Sequence, residues 1–374
     1  MIEKGENFQM EEEFDLIQFL RSAVATGASD EHLSVGQPPY IRLNGFIKKL
    51  RMKPLTKEDI DTAILSIAPS AIRDEILTKC DVDFMYQLKG CSRFRVNYNR
   101  QIGMPALVIR NISYEIPTLE QLNLPDMLSD LVQFQNGIIL VTGPTGSGKS
   151  TTIASLINEI NNTSEKHIIT IEDPIEYIFD CKKSIISQRQ VGVDTSGFSD
   201  GIKYALRQDP DVIFVGEIRD KDTMTAALKA SETGHLVLAT LHTNDAVQTI
   251  NRIVNMYEES NRYLIRKQLA DTLRATIAQK LVYSKEKQRR YPACEIMVVT
   301  PTIRDYINKD QSDEIYNLLG DTTIDNMISL NTSLAKLEAQ GLVSQEEALE
   351  SSNDANELEK RFRGVFQGTK AYYE

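Results

Sequence analysis

The sequence predicts an α/β protein of two domains, and three observations support this fold class. Beyond about residue 115, strand-like and helical stretches alternate, a pattern typical of a parallel sheet covered by helices. Before that point, amphipathic helical spacing mixes with short alternating strands, which favours a smaller α+β domain. The chain also has 374 residues, which is too long for one ordinary hydrophobic core.

The amino-terminal domain is predicted to span residues 1–115. Apolar side chains spaced three and four apart predict an amphipathic helix over residues 14–25. Polar and apolar side chains alternate over residues 92–100, which predicts a half-buried strand. The other expected elements are short strands at residues 32–35 and 40–50, a helical stretch at 57–78 interrupted near Pro69, and a strand at 106–112 that pairs with 92–100.

The second domain follows a hinge that Pro117 and Pro125 punctuate. Four β-rich runs predict its central strands, and they lie at residues 138–142, 167–171, 212–215 and 236–241. From about residue 261 onward the sequence suggests mostly helix. We therefore expect a parallel-sheet domain at residues 116–285 and a mostly helical carboxyl-terminal region at residues 286–374 that continues from it.

A glycine-rich run joins the first of these strands to a helix-like stretch at residues 151–160, which is the context of a phosphate-binding loop. Its glycines let backbone N–H groups turn toward phosphates, Lys149 can reach the β- and γ-phosphate oxygens, and the Ser150 hydroxyl can ligate Mg²⁺. The candidate residues for binding a nucleoside triphosphate are Gly143, Pro144, Thr145, Gly146, Ser147, Gly148, Lys149, Ser150 and Thr151. The alternative is a glycine-rich connection that binds nothing, and the strand before it and the helix after it argue against that.

Polar side chains end the other strands of the predicted sheet, where ligands of open α/β sheets bind. Glu217 ends a buried apolar strand, where a carboxylate needs a cation, a donor or water. It is therefore the candidate for positioning or activating an attacking water, directly or through Mg²⁺. Glu172, Asp173 and Glu176 could supply further contacts to Mg²⁺, and His242 could sense the γ-phosphate.

Each of these side chains also has a plainer interpretation. Glu217 could cap the next helix, residues 172–176 could form a solvated turn around Pro174, and His242 could be structural. Strand context favours the catalytic interpretation for Glu217 and leaves the others open.

Arginines collect in the amino-terminal domain. Arg93 and Arg95 share one face of the strand at residues 92–100, and Arg110 ends the strand that we pair with it. A guanidinium brought in by another domain or subunit stabilises charge on a transferring phosphoryl group. A solvated strand face is the simpler interpretation of the same residues.

The composition excludes several classes of partner and site. A formal net charge of −11 argues against a general affinity for nucleic acid. The four cysteines are scattered without a C-x-x-C pair, which predicts neither a zinc site nor a disulfide framework. No stretch approaches the roughly twenty apolar residues of a membrane span, and residues 1–13 are too acidic for a signal peptide. We expect a cytoplasmic protein without membrane insertion, and these observations leave a peripheral position at a membrane open.

Taken together, these residues resemble the secretion ATPase (GspE/PulE/PilT) superfamily, and within it the PilT-like type IV pilus retraction ATPases. The resemblance covers almost the whole chain. In the amino-terminal domain it rests on residues 28–34 and 93–97. In the second domain it rests on the phosphate loop and on three further motifs. These are residues 170–176, similar to the family's Asp box, residues 206–220, similar to its atypical Walker B, and residues 233–235 with 240–243, similar to its His box.

The resemblance implies a PAS-like amino-terminal domain joined to a RecA-like ATPase domain, with six subunits in a ring that acts on an inner-membrane pilus platform protein. It implies that Glu217 is the catalytic carboxylate, that Glu172 and Glu176 lie near Mg²⁺ and water, and that His242 senses the nucleotide. Arg95 and Arg110 look like the arginines that the small domain presents to nucleotide at a subunit boundary.

The resemblance also favours retraction over extension, because extension and type II secretion ATPases usually carry a four-cysteine metal insertion that this chain lacks. Residues 302–308 and 339–344 resemble retraction signatures, with departures at Asp305, Tyr306 and Gln340. The expected function is Mg²⁺-dependent ATP hydrolysis by a hexameric motor that drives pilus retraction. The alternatives are an accessory PilU-type paralogue working beside other pilus ATPases, a secretion-system ATPase, and a nucleotide-dependent assembly module that does not hydrolyse ATP.

Overall fold

The structure is a computed structural model that describes residues 14–43, 45–112, 116–320 and 327–364. Its contacts divide the chain into two compact units, Met1–Glu115 and Ile116–Glu374. Each unit has its own sheet and its own hydrophobic core.

The first unit is a six-stranded antiparallel sheet with helices packed on one face. Its strands pair in the order β3-β2-β1-β6-β5-β4. The elements are α1 (Leu16–Ala25), β1 (Asp30–Ser34), β2 (Tyr40–Leu43), β3 (Phe46–Lys49), α2 (Lys57–Ile67), α3 (Ser70–Thr78), β4 (Asp81–Leu88), β5 (Ser92–Gln101) and β6 (Met104–Ile112). The predicted helices and strands of this region are confirmed, except that the run predicted as a strand at residues 40–50 forms the two antiparallel strands β2 and β3. The strand β4 was not predicted.

Local signals set the starts of α1 and α2. The Asp15 carboxylate accepts hydrogen bonds from the backbone N–H groups of Ile17 and Gln18, which have no partner within the helix. Thr56 and Asp59 form a capping box at the start of α2. Both helices then bury an apolar stripe in the core that also holds Leu33, Phe94 and Ile109 of the sheet, because their apolar residues recur at helical spacing.

The second unit is built on a seven-stranded sheet in the order β13-β12-β7-β11-β10-β8-β9. Neighbouring strands are parallel except for the antiparallel pair β12–β13. The strands are β7 (Gly137–Thr142), β8 (His167–Glu172), β9 (Ile185–Gln190), β10 (Val212–Val215), β11 (Leu236–Leu241), β12 (Leu273–Ser284) and β13 (Arg289–Val298). The four predicted central strands are confirmed as β7, β8, β10 and β11.

Helices cover both faces of this sheet. They are α4 (Leu128–Leu131), α5 (Lys149–Thr163), α6 (Phe198–Ala205), α7 (Lys221–Glu232), α8 (Ala246–Asn255), α9 (Glu259–Thr272), α10 (Pro301–Asn308), α11 (Glu314–Gly320), α12 (Leu330–Ala339), α13 (Gln345–Ser351) and α14 (Ala355–Phe362). Within β7, Ile138 and Leu140 belong to the apolar cluster with α6–α11, whereas Ile139 and Val141 belong to the cluster with α4 and α5. A strand buried on both faces has no polar face, which explains why these strands are continuous apolar runs.

The prediction of mostly helix from residue 261 is confirmed for α9–α14 and is wrong for residues 273–298, which form the β12–β13 hairpin. The turn of this hairpin follows Ser284. The boundary that we expected between residues 285 and 286 therefore falls within the β12–β13 hairpin. Arg274, Gln279 and Lys280 interrupt the apolar pattern of β12, and its pairing with β7, distant in the sequence, makes it a strand. The last three helices pack with Val282 and Tyr291 of the hairpin in a separate apolar cluster.

Among the described residues, none of the helices combines the length and the apolar character needed to cross a lipid bilayer.

The first unit buries a carboxyl group in its core. Glu31 of β1 is fully buried, and its Oε1 accepts a hydrogen bond of 2.8 Å from Asn111 Nδ2. Its Oε2 has no hydrogen-bond partner among the residues that the structure describes. Burial raises the pKa of Glu31 from its ordinary value of 4.5 to about 8, although the Asn111 hydrogen bond opposes the shift. Glu31 is therefore largely protonated at neutral pH.

We expect Glu31→Gln to raise the thermal midpoint more at pH 8 than at pH 5. Between 4.5 and about 8 the folded protein binds more protons at this group than the unfolded chain does. The stability that Glu31 contributes below pH 4.5 is therefore lost as the pH rises toward 8. The loss is on the order of a few kcal/mol, and a neutral amide avoids it. Thermal unfolding of both proteins at the two pH values measures the difference.

The matched control is Glu58→Gln, which changes an exposed carboxylate of the same unit. A pH-independent effect of Glu31→Gln, or an equal effect of the control, contradicts the assignment of a buried neutral acid.

Candidate active site

The site is a cleft at the carboxyl ends of β7, β8, β10 and β11, with a cavity of about 190 Å³. Parallel pairing in register brings these strand ends to one edge of the sheet. Residues from four separate chain segments line the cleft: Thr145, Gly146, Lys149, Ser150, Glu172, Asp173, Glu176, Glu217 and His242. The structure thus brings together the phosphate loop, the carboxylates and the imidazole that the sequence singled out.

The phosphate loop follows β7 and ends where α5 begins. Gly143 adopts φ 142° and Gly148 adopts φ 89°, in the region that favours glycine. A Cβ atom on Gly143 would stand 2.3 Å from the carbonyl oxygen of Gln279, so no larger residue fits there. Gly148 precedes the first residue of α5, which places the free N–H groups and the positive dipole end of that helix at the loop.

Lys149 is largely buried beside the loop. Its Nζ donates hydrogen bonds to the carbonyl oxygens of Gly143 at 2.8 Å and Pro144 at 3.0 Å. Burial lowers the pKa of Lys149, and the carboxylates of Glu217 and Glu176 oppose that shift. The ammonium group is therefore a cation held against the loop, with two carboxylates to keep it charged.

The backbone at the end of β10 explains where Glu217 lies. Gly216 passes close to the end of β8, since a Cβ atom there would stand 3.2 Å from the Ile171 carbonyl oxygen and 3.3 Å from Glu172 Cα. Its own carbonyl oxygen accepts a hydrogen bond of 2.6 Å from Thr240 Oγ1 of β11. A side chain at Gly216, where a strand-end aspartate usually lies, would force its neighbours to shift, and the next residue, Glu217, lines the cleft.

Both oxygens of the Glu217 carboxylate have partners. Arg219 donates to Oε2 at 2.6 Å, and His242 Nε2 lies 3.0 Å from Oε1. The hydrogen bond from Arg219 lowers the pKa of Glu217, burial opposes this, and the charges of Arg219, His242 and Lys149 lower the pKa further. Glu217 is therefore ionised at neutral pH, with its orientation fixed by two side chains.

Glu172 at the end of β8 has a different environment. Its Oε1 accepts hydrogen bonds from Thr170 at 2.7 Å and Gln188 at 3.3 Å, and its Oε2 lies 3.4 Å from the backbone nitrogen of Glu176. All three donors are neutral. Burial raises the pKa of Glu172 to about 7, against the effect of the hydrogen bonds. Asp173 and Glu176 are exposed beside it.

The segment after β11 that carries His242 is anchored at the start of α8. Asp245 caps this helix through the Gln248 backbone N–H at 2.7 Å, and the Tyr316 hydroxyl donates to Asp245 at 3.0 Å. The buried Glu295 of β13 accepts a hydrogen bond of 2.9 Å from the Ala246 backbone N–H. These contacts fix the chain only a few residues after His242.

The donor set suits Mg²⁺ that is held mainly by phosphates. Among the described residues, no group of three or more histidine, cysteine or acidic side chains could hold a metal ion by itself. The Ser150 hydroxyl and the carboxylates of Glu172 and Glu217 nevertheless line one cleft. Mg²⁺ keeps several waters and commonly binds through one or two protein oxygens plus substrate phosphates. The residues present fit that mode of binding.

Arg95 and Arg110 lie in the first unit, directly opposite each other on β5 and β6. Their side chains are 45% and 65% exposed on the sheet face away from the helices. Arg110 Nε lies 2.8 Å from Asp30 Oδ1, whereas Arg95 Nε lies 3.9 Å from Asp83 Oδ1. The two guanidinium groups lie side by side on an exposed sheet face of the first unit, and neither residue is among those that line the cleft.

Sequence reasoning assigned no role to two residues that the structure places at the site. Arg219 lies within a recognised motif, but only the geometry shows that it contacts Glu217. Gln279 of β12 is buried against the phosphate loop, where its amide contacts Ser147 and Thr152. The available signal for Gln279 was a polar amide next to the apolar residues of β12, since a buried polar group needs partners.

Comparison with known proteins finds relatives from secretion and pilus systems. The model of the family described as type II/IV secretion system protein matches residues 81–369. The type IV pilus retraction ATPase PilT of Pseudomonas aeruginosa is 40% identical over 339 residues, which are 90% of this chain and 98% of PilT. The type IV pilus ATPase PilU of the same organism is 36% identical over 341 residues, which are 91% of this chain and 89% of PilU.

A solved structure is also similar. The crystal structure of the pilus retraction motor PilT with bound ADP matches with a TM-score of 0.87 and 44% sequence identity. The match covers 93% of this chain and 100% of that one. The similarity therefore includes residues of both units and the strand-end cleft.

Proposed function

The chain belongs to the type II/IV secretion system protein family, and on that basis we propose that it is an ATP-hydrolysing motor that drives retraction of a type IV pilus. The observation that carries the proposal is the cleft in which the Lys149 loop, Glu217 and His242 converge. Full-length similarity to pilus retraction ATPases supports the direction of the motor. The chain lacks the four-cysteine insertion usual in extension ATPases, which favours retraction over extension. Its acidic composition argues against a nucleic-acid partner.

The phosphate loop binds the nucleotide. Backbone N–H groups at the start of α5 and the Lys149 ammonium face the anionic phosphates, and the glycines allow close approach. Ser150 would hold Mg²⁺, with Glu172 acting through water. When bound, the metal neutralises charge that develops on the β- and γ-phosphate oxygens.

Glu217 positions the attacking water. Its carboxylate is ionised and has Arg219 and His242 at its two oxygens, so it accepts a hydrogen bond from water in a fixed direction. His242 contacts Glu217 and lines the same cleft, so it can report on the γ-phosphate through that contact. Glu172, with its raised pKa, can hold a proton near neutral pH at the same site.

Arg95 and Arg110 complete the site of a neighbouring subunit in a homohexamer. They are paired on an exposed sheet face, where an incoming phosphate can meet two guanidinium groups at once. We place the ring at the cytoplasmic side of the inner membrane, where it would act on a pilus platform protein. An accessory motor of the PilU type is the second candidate, because the similarity to PilU also extends over most of the chain.

Purified protein should hydrolyse ATP in the presence of Mg²⁺. Glu217→Gln should lower turnover by roughly 10²–10³ because a preorganised polar contact to the reacting groups is lost, and Lys149→Ala should abolish both binding and turnover. Phosphate release measures turnover, and Glu232→Gln, an exposed change at the end of α7, is the control. Wild-type protein that binds ATP without releasing phosphate would favour the assembly module, and near-normal turnover in Glu217→Gln would refute the role of that residue.

Arg95→Ala should reduce the turnover of the assembled protein roughly ten-fold or more, while isolated subunits still bind nucleotide. The reason is that the guanidinium acts on a site in another subunit. Titration with ADP at low protein concentration measures binding, and phosphate release at high concentration measures turnover. Arg100→Ala is the control, since Arg100 is exposed on the same strand. Equal loss of ADP binding in isolated Arg95→Ala subunits would argue against action across a boundary.

Deletion of the gene should abolish twitching and leave excess surface pili, because pili that cannot retract accumulate. Pilus counts by electron microscopy and a motility assay on agar measure the two traits, with the Lys149→Ala gene as the matched control. Partial motility that a second pilus ATPase restores would favour the accessory motor. Normal pili with blocked protein export would instead favour a secretion ATPase.

A further inference from the structure

Gln279 of β12 lies beneath the phosphate loop and is 3% exposed. Its Nε2 donates a hydrogen bond of 2.7 Å to the carbonyl oxygen of Ser147, near the end of the loop. Its Oε1 accepts a hydrogen bond of 2.8 Å from the Thr152 hydroxyl in the first turn of α5. One side-chain amide therefore connects the loop to the helix that follows it.

The loop is shaped around this residue. A Cβ atom on Gly148 would stand 2.8 Å from Gln279 Nε2, and a Cβ atom on Gly143 would stand 2.3 Å from the Gln279 carbonyl oxygen. Gly148 thus makes room for the side chain of Gln279, and Gly143 makes room for its backbone. The strand below therefore requires a glycine at position 143, and at position 148 a glycine leaves the Gln279 amide undisturbed.

Peptide geometry gives this contact a consequence for the ligand. The carbonyl of Ser147 and the N–H of Gly148 belong to one planar trans peptide and point in opposite directions. Because Gln279 holds the Ser147 carbonyl toward β12, the Gly148 N–H is turned away from β12. That N–H is one of the donors at the start of α5, where an anion binds.

Only an amide satisfies both contacts without adding charge. The Ser147 carbonyl needs a donor, and Oε1 provides the acceptor for the Thr152 hydroxyl. A glutamate would place two acceptors there and a negative charge beneath the phosphate site. A leucine would leave both polar partners buried without a hydrogen bond, which is unfavourable.

We propose that Gln279 is a positioning residue for nucleotide binding, which orients the Ser147–Gly148 peptide so that its N–H faces the phosphates. This inference rests on the proposed nucleotide binding of the loop, and it adds a residue from a distant strand to that site. Gln279 acts through the loop and not by touching the ligand. Its loss should therefore weaken ground-state and transition-state binding alike, which raises KM and changes kcat little.

The test compares Gln279→Leu, Gln279→Glu and Thr152→Val with the wild type. We expect the dissociation constant for ADP and the KM for ATP to rise roughly ten-fold in Gln279→Leu and further in Gln279→Glu, with kcat changed less than KM. Thr152→Val keeps the contact to Ser147 and should raise both constants only about two-fold to three-fold. Calorimetric titration with ADP and steady-state kinetics measure these values.

Thr276→Val is the matched control. Thr276 is fully buried on the same strand, and among the described residues its hydroxyl has no hydrogen-bond partner. The change therefore alters the interior of β12 without touching the loop, and ADP affinity should stay at the wild-type value.

The outcomes separate this inference from the proposed function. If wild-type protein does not bind ADP, the proposed function fails. If it binds and Gln279→Leu binds equally well, or if Thr276→Val loses as much affinity, the positioning role is wrong. Should Gln279→Leu fail to fold, Gln279→Glu and Thr152→Val decide the matter, since wild-type affinity in both would overturn the proposal.

Discussion

The hydrogen-bonded ladder of parallel strands β7, β11, β10 and β8 is the constraint on which the site depends. Pairing in register sets Thr142 beside Leu241, and Val215 beside Ala239 and Ile171. These strands are buried, so their backbone groups have no water to replace a lost partner, and a shift of register would leave several of them unsatisfied. The loop, the carboxylates and the imidazole are side chains of very different sequence positions, and the ladder alone brings them to one edge.

Within that cleft, neighbouring groups give two carboxylates different protonation. Glu217 has a guanidinium at hydrogen-bond distance, and its pKa is lowered. Glu172, one strand away, has only hydroxyl, amide and backbone donors, and burial raises its pKa to about 7. At neutral pH the cleft therefore holds one carboxylate that is a reliable anion and another that exchanges its proton readily. Such a division allows one site both to orient water and to handle a proton.

The parts of the fold that could be predicted are those with local causes. The phosphate loop has its own spacing, and β7, β8, β10 and β11 are apolar runs because both of their faces are buried. The β12–β13 hairpin could not be predicted in this way, since Gln279 breaks its apolar pattern and its contacts reach the loop from 132 residues away. The cluster of strand-end residues followed from topology, but the contact of Arg219 with Glu217 depends on side-chain rotamers that no pattern encodes.

Arg110 of the first unit already has an anionic partner. The Asp30 carboxylate lies 2.8 Å from it and 3.7 Å from Arg42, so one negative charge offsets two guanidinium groups on the open face of the sheet. Any anion that approaches Arg110 from outside competes with a tethered carboxylate present at high effective concentration. The net free energy of such a contact is the difference between the interaction of Arg110 with the incoming anion and its interaction with Asp30. It is therefore smaller than the full free energy of the ion pair with the incoming anion. Such an exchange is readily reversed, as the contact across a subunit boundary that we propose for Arg110 requires.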